Sequence, residues 1–234
     1  MHNTVWLMED AAAALPWLDA ASATLGDDTR AVLSTLTRDI VRRRFVLSRL
    51  LLRMAVSRYV ECDPATLVVT ERRGDAPLVT RMDGDPPCIS LSHSGAWIAC
   101  AVSVDAIGVD IEDTTRTRDL QAISAWFYSD PEHAWMLRQT DPNLAFYRLW
   151  TGKEAVFKLA HQLGRALPLQ QIQFDVQHDT LRPPPPARSV RFAVPGHALA
   201  CSIACAAAGR ADASDFTHLH ADALSMHLFT SSDK

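Results

Sequence analysis

The chain has 234 residues, a formal net charge of −4 and 48% hydrophobic residues, a composition typical of a soluble globular protein with one large domain or two small ones. The lack of a basic excess argues against a nonspecific nucleic-acid binder. The longest apolar stretch, residues 198–209, is shorter than the about 20 residues that span a bilayer, so we expect no membrane partner.

The cysteines and the first residues of the sequence bear on its compartment. The five cysteines are odd in number and form no C-x-x-C pair, which favours a reducing environment over a disulfide framework. Residues 1–20 have no basic start and no continuous apolar run, since Glu9 and Asp10 interrupt them. We therefore expect a cytoplasmic protein.

The first predicted elements are one long helix and a set of strands. Apolar residues recur at helical spacing over residues 27–60, and Asp63-Pro64 ends the segment. Turn residues rich in Gly, Asp and Pro separate the strands that follow. These strands are predicted at Leu67–Thr70, Cys88–Leu91, Trp97–Val102 and Ile107–Ile111.

Helices and then strands recur in the second part of the chain. A short helix is predicted over Leu120–Phe127, and a capping box from Ser129 to Glu132 starts another that ends near Thr140. A longer helix is predicted from Pro142 to about Leu163, and Gly164 stops it. The later strands are predicted at Ile172–Val176, Ser189–Val194 and Ala198–Ala204, with an extended loop at Pro183–Pro186.

The repeated order of helix and strands predicts an α+β fold built as a pseudo-two-fold pair of similar subdomains. We place an N-terminal half at 1–105, a C-terminal half at 106–215, and a flexible tail at 216–234.

Two carboxylates close the predicted strand that begins at Ile107. Alternate strand residues share a face, so Asp110 and Glu112 lie on the same side. A strand that meets water also ends in polar residues, and that reading is the simpler one for this pair alone. A magnesium ion bound by a few carboxylates and substrate phosphates is the functional alternative.

The predicted helix from Pro142 carries a second charged pair. Glu154 and Lys158 lie one turn apart on a common face, as in many ordinary surface ion pairs. If this pair met the strand carboxylates, three carboxylates and a lysine would form a hard-cation site beside a cationic phosphate clamp. Such a site suits chemistry on a phosphate ester.

Together these segments resemble the 4'-phosphopantetheinyl transferases of the monomeric Sfp type, over roughly residues 40–205. The family carries G-[VI]-D-x-E, W-x-x-K-E-[SA]-x-x-K, S-H-S-[GD] and, more weakly, F-[FY]-S-x-x-E. In this sequence the four motifs read Gly108-Val109-Asp110-Ile111-Glu112, Trp150-Thr151-Gly152-Lys153-Glu154-Ala155-Val156-Phe157-Lys158, Ser92-His93-Ser94-Gly95 and Phe127-Tyr128-Ser129-Asp130-Pro131-Glu132.

The resemblance implies transfer of the phosphopantetheine arm of coenzyme A to a serine of an apo acyl or peptidyl carrier protein, with Mg²⁺, or Mn²⁺ in its place. It implies that Asp110, Glu112 and Glu154, all in the C-terminal half, bind the metal. The active site would lie in the cleft between the two halves, with Asp110 and Glu154 exposed in that cleft. Lys158 would contact the pyrophosphate and act in catalysis with Asp110 and Glu154. Lys153 would bind the cofactor or support the site. Glu154 or a metal-bound water would deprotonate the serine.

The same resemblance implies a phosphate site around the S-H-S loop. His93 would contact a phosphate of coenzyme A, and Ser92 would approach the 3'-phosphate. Arg44 would add a bidentate phosphate contact. An exposed face of solvated arginines is an equally good interpretation of this segment, and Arg42, Arg43 or Arg49 could serve instead.

Three positions qualify the resemblance. The family often has a Gly-Lys-Pro-like element where this chain reads Gly74-Asp75-Ala76-Pro77, so Arg72 or Arg73 would have to replace the lysine. Gly152 lies inside a helix at a cost of up to about 1 kcal/mol relative to Ala. Glu132 has a complete structural explanation as the third residue of a capping box.

The function implied is therefore a monomeric transferase that releases adenosine 3',5'-bisphosphate. Two other classes remain open: a non-catalytic module that binds coenzyme A or a carrier protein, and another Mg²⁺-dependent phosphoester enzyme such as a nuclease or phosphatase. The pathway served by the carrier also remains open among fatty-acid, polyketide and nonribosomal-peptide synthesis.

Overall fold

The computed structural model describes residues 3–10, 18–81, 85–116, 118–177, 180–194, 199–206 and 215–220. The fold is α+β, as predicted. Up to residue 113 the elements are β1 (Thr4–Glu9), α1 (Leu18–Ala23), α2 (Asp27–Thr35), α3 (Asp39–Val60), β2 (Leu67–Thr70), β3 (Leu78–Arg81), β4 (Cys88–Ser94), β5 (Trp97–Ser103) and β6 (Ile107–Asp113).

Three helices and five strands follow. They are α4 (Leu120–Phe127), α5 (Asp130–Arg138), α6 (Pro142–Gln162), β7 (Asp175–Gln177), β8 (Thr180–Arg182), β9 (Ser189–Ala193), β10 (Leu199–Cys205) and β11 (Asp215–His220). None of the helices within the described ranges is long and apolar enough to cross a membrane.

Two main sheets form the centre of the fold. One has the strand order β11-β1-β5-β4, and the other has the order β6-β10-β9. The two sheets pack face to face, because alternate residues of their inner strands contribute to one shared core. That core contains Val5, Leu7, Ala99, Ala101, Ile107, Val109, Ile111, Leu199, Cys201 and Ile203.

A long helix covers the outer face of each sheet. Helix α3 packs on β5 and β1, and α6 packs on β6 and β10. Helix α6 begins where predicted, because the side chain of Asp141 accepts the backbone N–H of Leu144 and Pro142 occupies the first turn. Its direction places Glu154 and Lys158 over β6.

Three sequence predictions need correction. Residues 27–60 form two helices, because the chain breaks at 36–38, where Arg42 binds the terminal carbonyls of Leu33 and Leu36. Strand β1 was not predicted; it is buried on both faces and so lacks polar alternation. The predicted tail from 216 begins inside β11, which pairs in parallel with β1. Residues 221–234 lie outside the described residues.

Gly108 permits the close approach of α6 to β6. A Cβ at this position would lie 1.9 Å from the backbone oxygen of Ala155. Gly152 is also close-packed, since its Cβ would lie 3.0 Å from the Cζ of Phe174. This contact gives a structural reason for a small residue at 152.

We expect Gly108→Ala to lower the free energy of unfolding by about 3 kcal/mol or more, because backbone rather than a movable side chain occupies the space. Gly152→Ala is the matched control and should cost less, since the Phe174 ring can shift and Ala favours the helix. Urea unfolding of both variants measures the difference. Equal losses would contradict the close approach at Gly108.

Candidate active site

Strands β4 and β6 and helix α6 bring the predicted catalytic residues together. Lys158 Nζ lies 2.8 Å from Asp110 Oδ1 and donates to the carbonyl oxygens of Val109 at 2.9 Å and Leu91 at 3.3 Å. These three bonds use all three ammonium hydrogens. Lys158 therefore links the helix to both strands and neutralises part of the charge on Asp110.

Asp110 is buried, with 6% of its surface exposed, so the prediction of an exposed cleft carboxylate is wrong for this residue. Its Oδ1 also accepts the hydroxyl of Ser92 at 2.8 Å. Burial raises the pKa of Asp110, and the nearby Lys158 ammonium opposes that rise. The bonds described for this carboxylate all fall on Oδ1.

Glu112 is held by three neighbours. Arg118 donates to both of its oxygens at 2.9 and 2.8 Å, Ser94 donates at 2.6 Å, and the indole nitrogen of Trp150 donates at 3.2 Å. These four bonds occupy the roughly four lone-pair sites of a carboxylate. Sequence reasoning missed Arg118, because it belongs to no motif and reaches Glu112 only through the loop after β6.

Glu154 is half-buried on α6. Burial raises its pKa, and the negative charges of Asp110 and Glu112 add to the rise while Lys158 opposes it. The three carboxylates predicted from two distant motifs therefore interact electrostatically. Concentrated negative charge of this kind is stabilised by a bound cation.

The fit of this cluster to a divalent cation is partial. Within the described ranges, no group of three or more His, Cys, Asp or Glu side chains has metal-site geometry. Mg²⁺ commonly takes only one or two carboxylates and completes its shell with waters and substrate phosphates. Asp110 and Glu154 fit that requirement. Glu112 can join only if Arg118 releases at least one of its oxygens.

His93 and Arg44 lie near the carboxylates. His93 is exposed at the end of β4; partial desolvation lowers its pKa, and the positive charges of Arg44 and Lys158 lower it further. Arg44 Nη2 donates to the Gly95 carbonyl of the β4–β5 turn at 2.6 Å. An anion bound here would meet several positive or donor groups.

The other three arginines considered for this role have different partners. Arg42 binds the carbonyls at the end of α2, Arg43 pairs with Asp10 at 3.0 Å, and Arg49 forms a two-bond pair with Glu71. Arg44 alone of the four affects the pKa of His93. Arg44 also bonds to the Gly95 carbonyl of the S-H-S-G segment, so this bond and the charge effect favour Arg44 as the companion of His93.

Two assignments from the sequence are corrected by burial and bonding. Lys153 is fully buried; its ammonium lies 2.8 Å from Glu132 and also donates to the Ile172 carbonyl, so it cannot reach a cofactor in the cleft. The Ser92 hydroxyl donates to Asp110 and accepts from the N–H of Ile111 at 3.3 Å, so it is not directed at a phosphate.

Glu132 has the structural role that the sequence predicted. Its carboxylate accepts the backbone N–H of Ser129 at 2.8 Å and completes a capping box at the start of α5. It also accepts the backbone N–H of Phe174 at 2.9 Å. Glu132 and Lys153 thus form a buried pair that joins α5, α6 and the chain after α6.

A cavity of about 460 Å³ adjoins this site and is lined by Arg49, Arg72, Asp75, Leu91, Phe157 and Lys158. The loop before β3, strand β4 and helix α6 form its walls. His161 Nε2 contacts Asp75 Oδ1. Asp75 stands at the position where the family that the motifs resemble often has a lysine. Arg72 lines the cavity and donates to the Ala76 carbonyl at 2.8 Å, and the compensation for that lysine by Arg72 or Arg73 stays a prediction.

Sequence comparisons relate the chain to a known family. Residues 106–197 match the model of the 4'-phosphopantetheinyl transferase superfamily. This part of the chain is therefore similar to that superfamily. The matched region contains the whole carboxylate cluster and Lys158, while the S-H-S loop and Arg44 lie before it.

Curated relatives extend the similarity. The chain is 32% identical over 139 residues to 4'-phosphopantetheinyl transferase Sfp of Bacillus subtilis (strain 168), covering 57% of this chain and 58% of that protein. It is 31% identical over 145 residues to 4'-phosphopantetheinyl transferase HetI of Nostoc sp. (strain PCC 7120), covering 60% and 61%. The chain thus spans less than two thirds of the length of these relatives.

Proposed function

We propose that this protein is an Sfp-type 4'-phosphopantetheinyl transferase. It moves the 4'-phosphopantetheine arm of coenzyme A to a serine of an apo acyl or peptidyl carrier protein. The serine oxygen forms a bond to the β-phosphorus of the pyrophosphate, and the bond to the α-phosphate breaks, releasing adenosine 3',5'-bisphosphate. The meeting of Asp110, Glu154 and Lys158 near His93 and Arg44, beside a cavity that Lys158 lines, carries this proposal.

The chain's own residues divide the work by charge. Asp110 and Glu154 would hold Mg²⁺ or Mn²⁺, and Glu112 would add an oxygen if Arg118 released it. The bound metal supplies neutralisation of charge on the pyrophosphate and the leaving bisphosphate. Lys158 contacts the same pyrophosphate by exchanging its longest bond, the 3.3 Å contact to the Leu91 carbonyl. Glu154, whose pKa is raised by burial and its acidic neighbours, accepts the serine proton.

The remaining features of the proposal concern the state of the protein. We propose that it acts as a monomer in the cytoplasm, with coenzyme A and a carrier protein as its partners and with no nucleic acid or membrane involved. The net charge of −4 supports the exclusion of nonspecific nucleic-acid binding. Light scattering after size exclusion would test the monomer.

The direct test is mass spectrometry of intact apo carrier proteins from fatty-acid, polyketide and nonribosomal-peptide systems, each incubated with this protein, coenzyme A and Mg²⁺. A gain of one phosphopantetheine mass, abolished by a chelator, is the expected result. Binding of coenzyme A without a mass gain on any carrier would favour a non-catalytic binding module. Release of phosphate or nucleotide without a carrier would indicate a different phosphoester enzyme.

We expect His93→Ala to raise the KM for coenzyme A by about tenfold with a smaller change in kcat, because a positioned donor to a phosphate is lost. Arg44→Ala should act in the same direction, whereas Arg42→Ala should leave this KM near that of the original protein, since Arg42 binds the end of α2. Steady-state kinetics with varied coenzyme A measures the three values. An unchanged KM for His93→Ala would make the histidine structural.

A further inference from the structure

Strands β4 and β6 meet as the edges of two different sheets. A row of serine hydroxyls on β4 accepts the backbone N–H groups of β6. Ser90 binds the N–H of Val109 at 3.0 Å, Ser92 that of Ile111 at 3.3 Å, and Ser94 that of Asp113 at 3.0 Å. We call these three residues the serine row. Edge amides that would otherwise be buried without an acceptor are satisfied in this way.

Two members of the serine row form a second bond that the third does not. Ser92 donates its hydroxyl hydrogen to Asp110 Oδ1 at 2.8 Å, and Ser94 donates to Glu112 Oε2 at 2.6 Å. In both cases the residue that precedes the bonded amide in the sequence carries this carboxylate. At Ser90 the corresponding residue is Gly108, which has no side chain to hold.

The serine row therefore combines two functions in one repeated contact. Accepting an N–H fixes each hydroxyl oxygen relative to β6, and the hydrogen that Ser92 or Ser94 donates then holds the carboxylate in one orientation. Ser92 and Ser94 are almost completely buried, with 9% and 5% of their surfaces exposed. Their bonds to the carboxylates are shielded from water, which strengthens the orientation that they impose.

We propose that Ser92 and Ser94 are positioning residues that orient the Asp110 and Glu112 carboxylates toward the metal and the pyrophosphate. This inference rests on the proposed transferase function. It assigns to Ser92 a role through Asp110 instead of a contact with the 3'-phosphate of coenzyme A. Ser90 accepts a backbone N–H in the same way but has no carboxylate beside the bonded amide, so it is the matched control.

The experiment compares Ser90→Ala, Ser92→Ala and Ser94→Ala. Binding of Mn²⁺ to the full chain is measured by electron paramagnetic resonance with coenzyme A present and no carrier. Ser92→Ala and Ser94→Ala should raise the dissociation constant of Mn²⁺ by about 10–100-fold, while Ser90→Ala should keep it within about threefold. All three lose one acceptor for a backbone N–H, and Ser92→Ala and Ser94→Ala also lose a bond to a carboxylate. Thermal melting of each variant shows that the Mn²⁺ comparison is made on folded protein.

Two further measurements separate positioning from a phosphate contact. With 3'-dephospho-coenzyme A, the loss in Mn²⁺ affinity for Ser92→Ala should be as large as with coenzyme A. Ser92→Thr keeps a hydroxyl and should recover most of the affinity. Ser92→Cys, with a weak donor of similar size, provides the same comparison if the alanine variant does not fold.

Some results would overturn the inference. Equal Mn²⁺ affinities in the three alanine variants would reduce the whole serine row to a structural role. A defect of Ser92→Ala that appears only in the KM for coenzyme A, and disappears with 3'-dephospho-coenzyme A, would return Ser92 to the phosphate. Failure of the unmodified protein to transfer to any carrier would refute the proposed function and leave the Mn²⁺ comparison interpretable.

Discussion

Glu154→Gln is expected to lower transfer by about a thousandfold or more and at the same time to stabilise the metal-free protein. The activity falls because the change removes a metal-binding oxygen and the proposed base together. The free energy of unfolding rises by about 1 kcal/mol, because one of three interacting carboxylates loses its charge and the group is only partly buried. Mass spectrometry of the carrier protein measures the activity. Urea unfolding of the chelator-treated protein measures the stability.

The pH dependence gives this prediction a second measurement. The pKa values of Asp110 and Glu154 are both raised, chiefly by burial. The native state therefore binds more protons than the unfolded chain between the ordinary and the raised values, and the free energy of unfolding falls as pH rises through that interval. Glu154→Gln should flatten this fall in the metal-free protein. An unaltered pH profile would contradict the coupling of the carboxylates.

Asp110→Asn is the appropriate companion to Glu154→Gln. Truncation of Asp110 to Ala would leave the buried Ser92 hydroxyl and the Lys158 ammonium without one of their acceptors. A loss of activity in the Ala variant would then mix catalysis with folding. The Asn variant keeps the size and one acceptor, so its loss of transfer reports on the charge.

Lys153→Met is expected to lower the free energy of unfolding by about 3–5 kcal/mol, because it leaves the buried Glu132 carboxylate without its cation. Both side chains of the pair are completely buried. The KM for coenzyme A, measured at a temperature where the variant is folded, should not change. A large rise in KM with little loss of stability would restore Lys153 to cofactor binding.

The control for Lys153→Met is the double variant Glu132→Gln with Lys153→Met. Glu132 binds the N–H groups of Ser129 and Phe174 with different oxygens. Gln keeps one acceptor oxygen for one of these two groups, and no buried charge remains. The double variant should therefore recover part of the loss. If it is as unstable as the single variant, the capping and backbone contacts of Glu132, rather than its pairing with Lys153, dominate.

Local patterns explain why so much of the site was predictable. Asp110 and Glu112 share a strand face, and Glu154 and Lys158 share a helix face, because the periods of strand and helix fix those relations within a few residues. The capping box at Ser129 and the start of α6 at Pro142 are set by equally short contacts. The motifs were therefore sufficient to predict the similarity to the superfamily, and the roles of the candidate residues stay predictions.

The sequence by itself thus determined the α+β class, the motif residues and the local faces on which they lie. Only the tertiary structure decided how their polar atoms are paired: Glu112 with Arg118, Ser92 with Asp110, and Lys153 with Glu132. It also decided that β11 joins β1. Such pairings depend on which distant segments meet and which atoms lose water, and neither is set by periodicity along the chain.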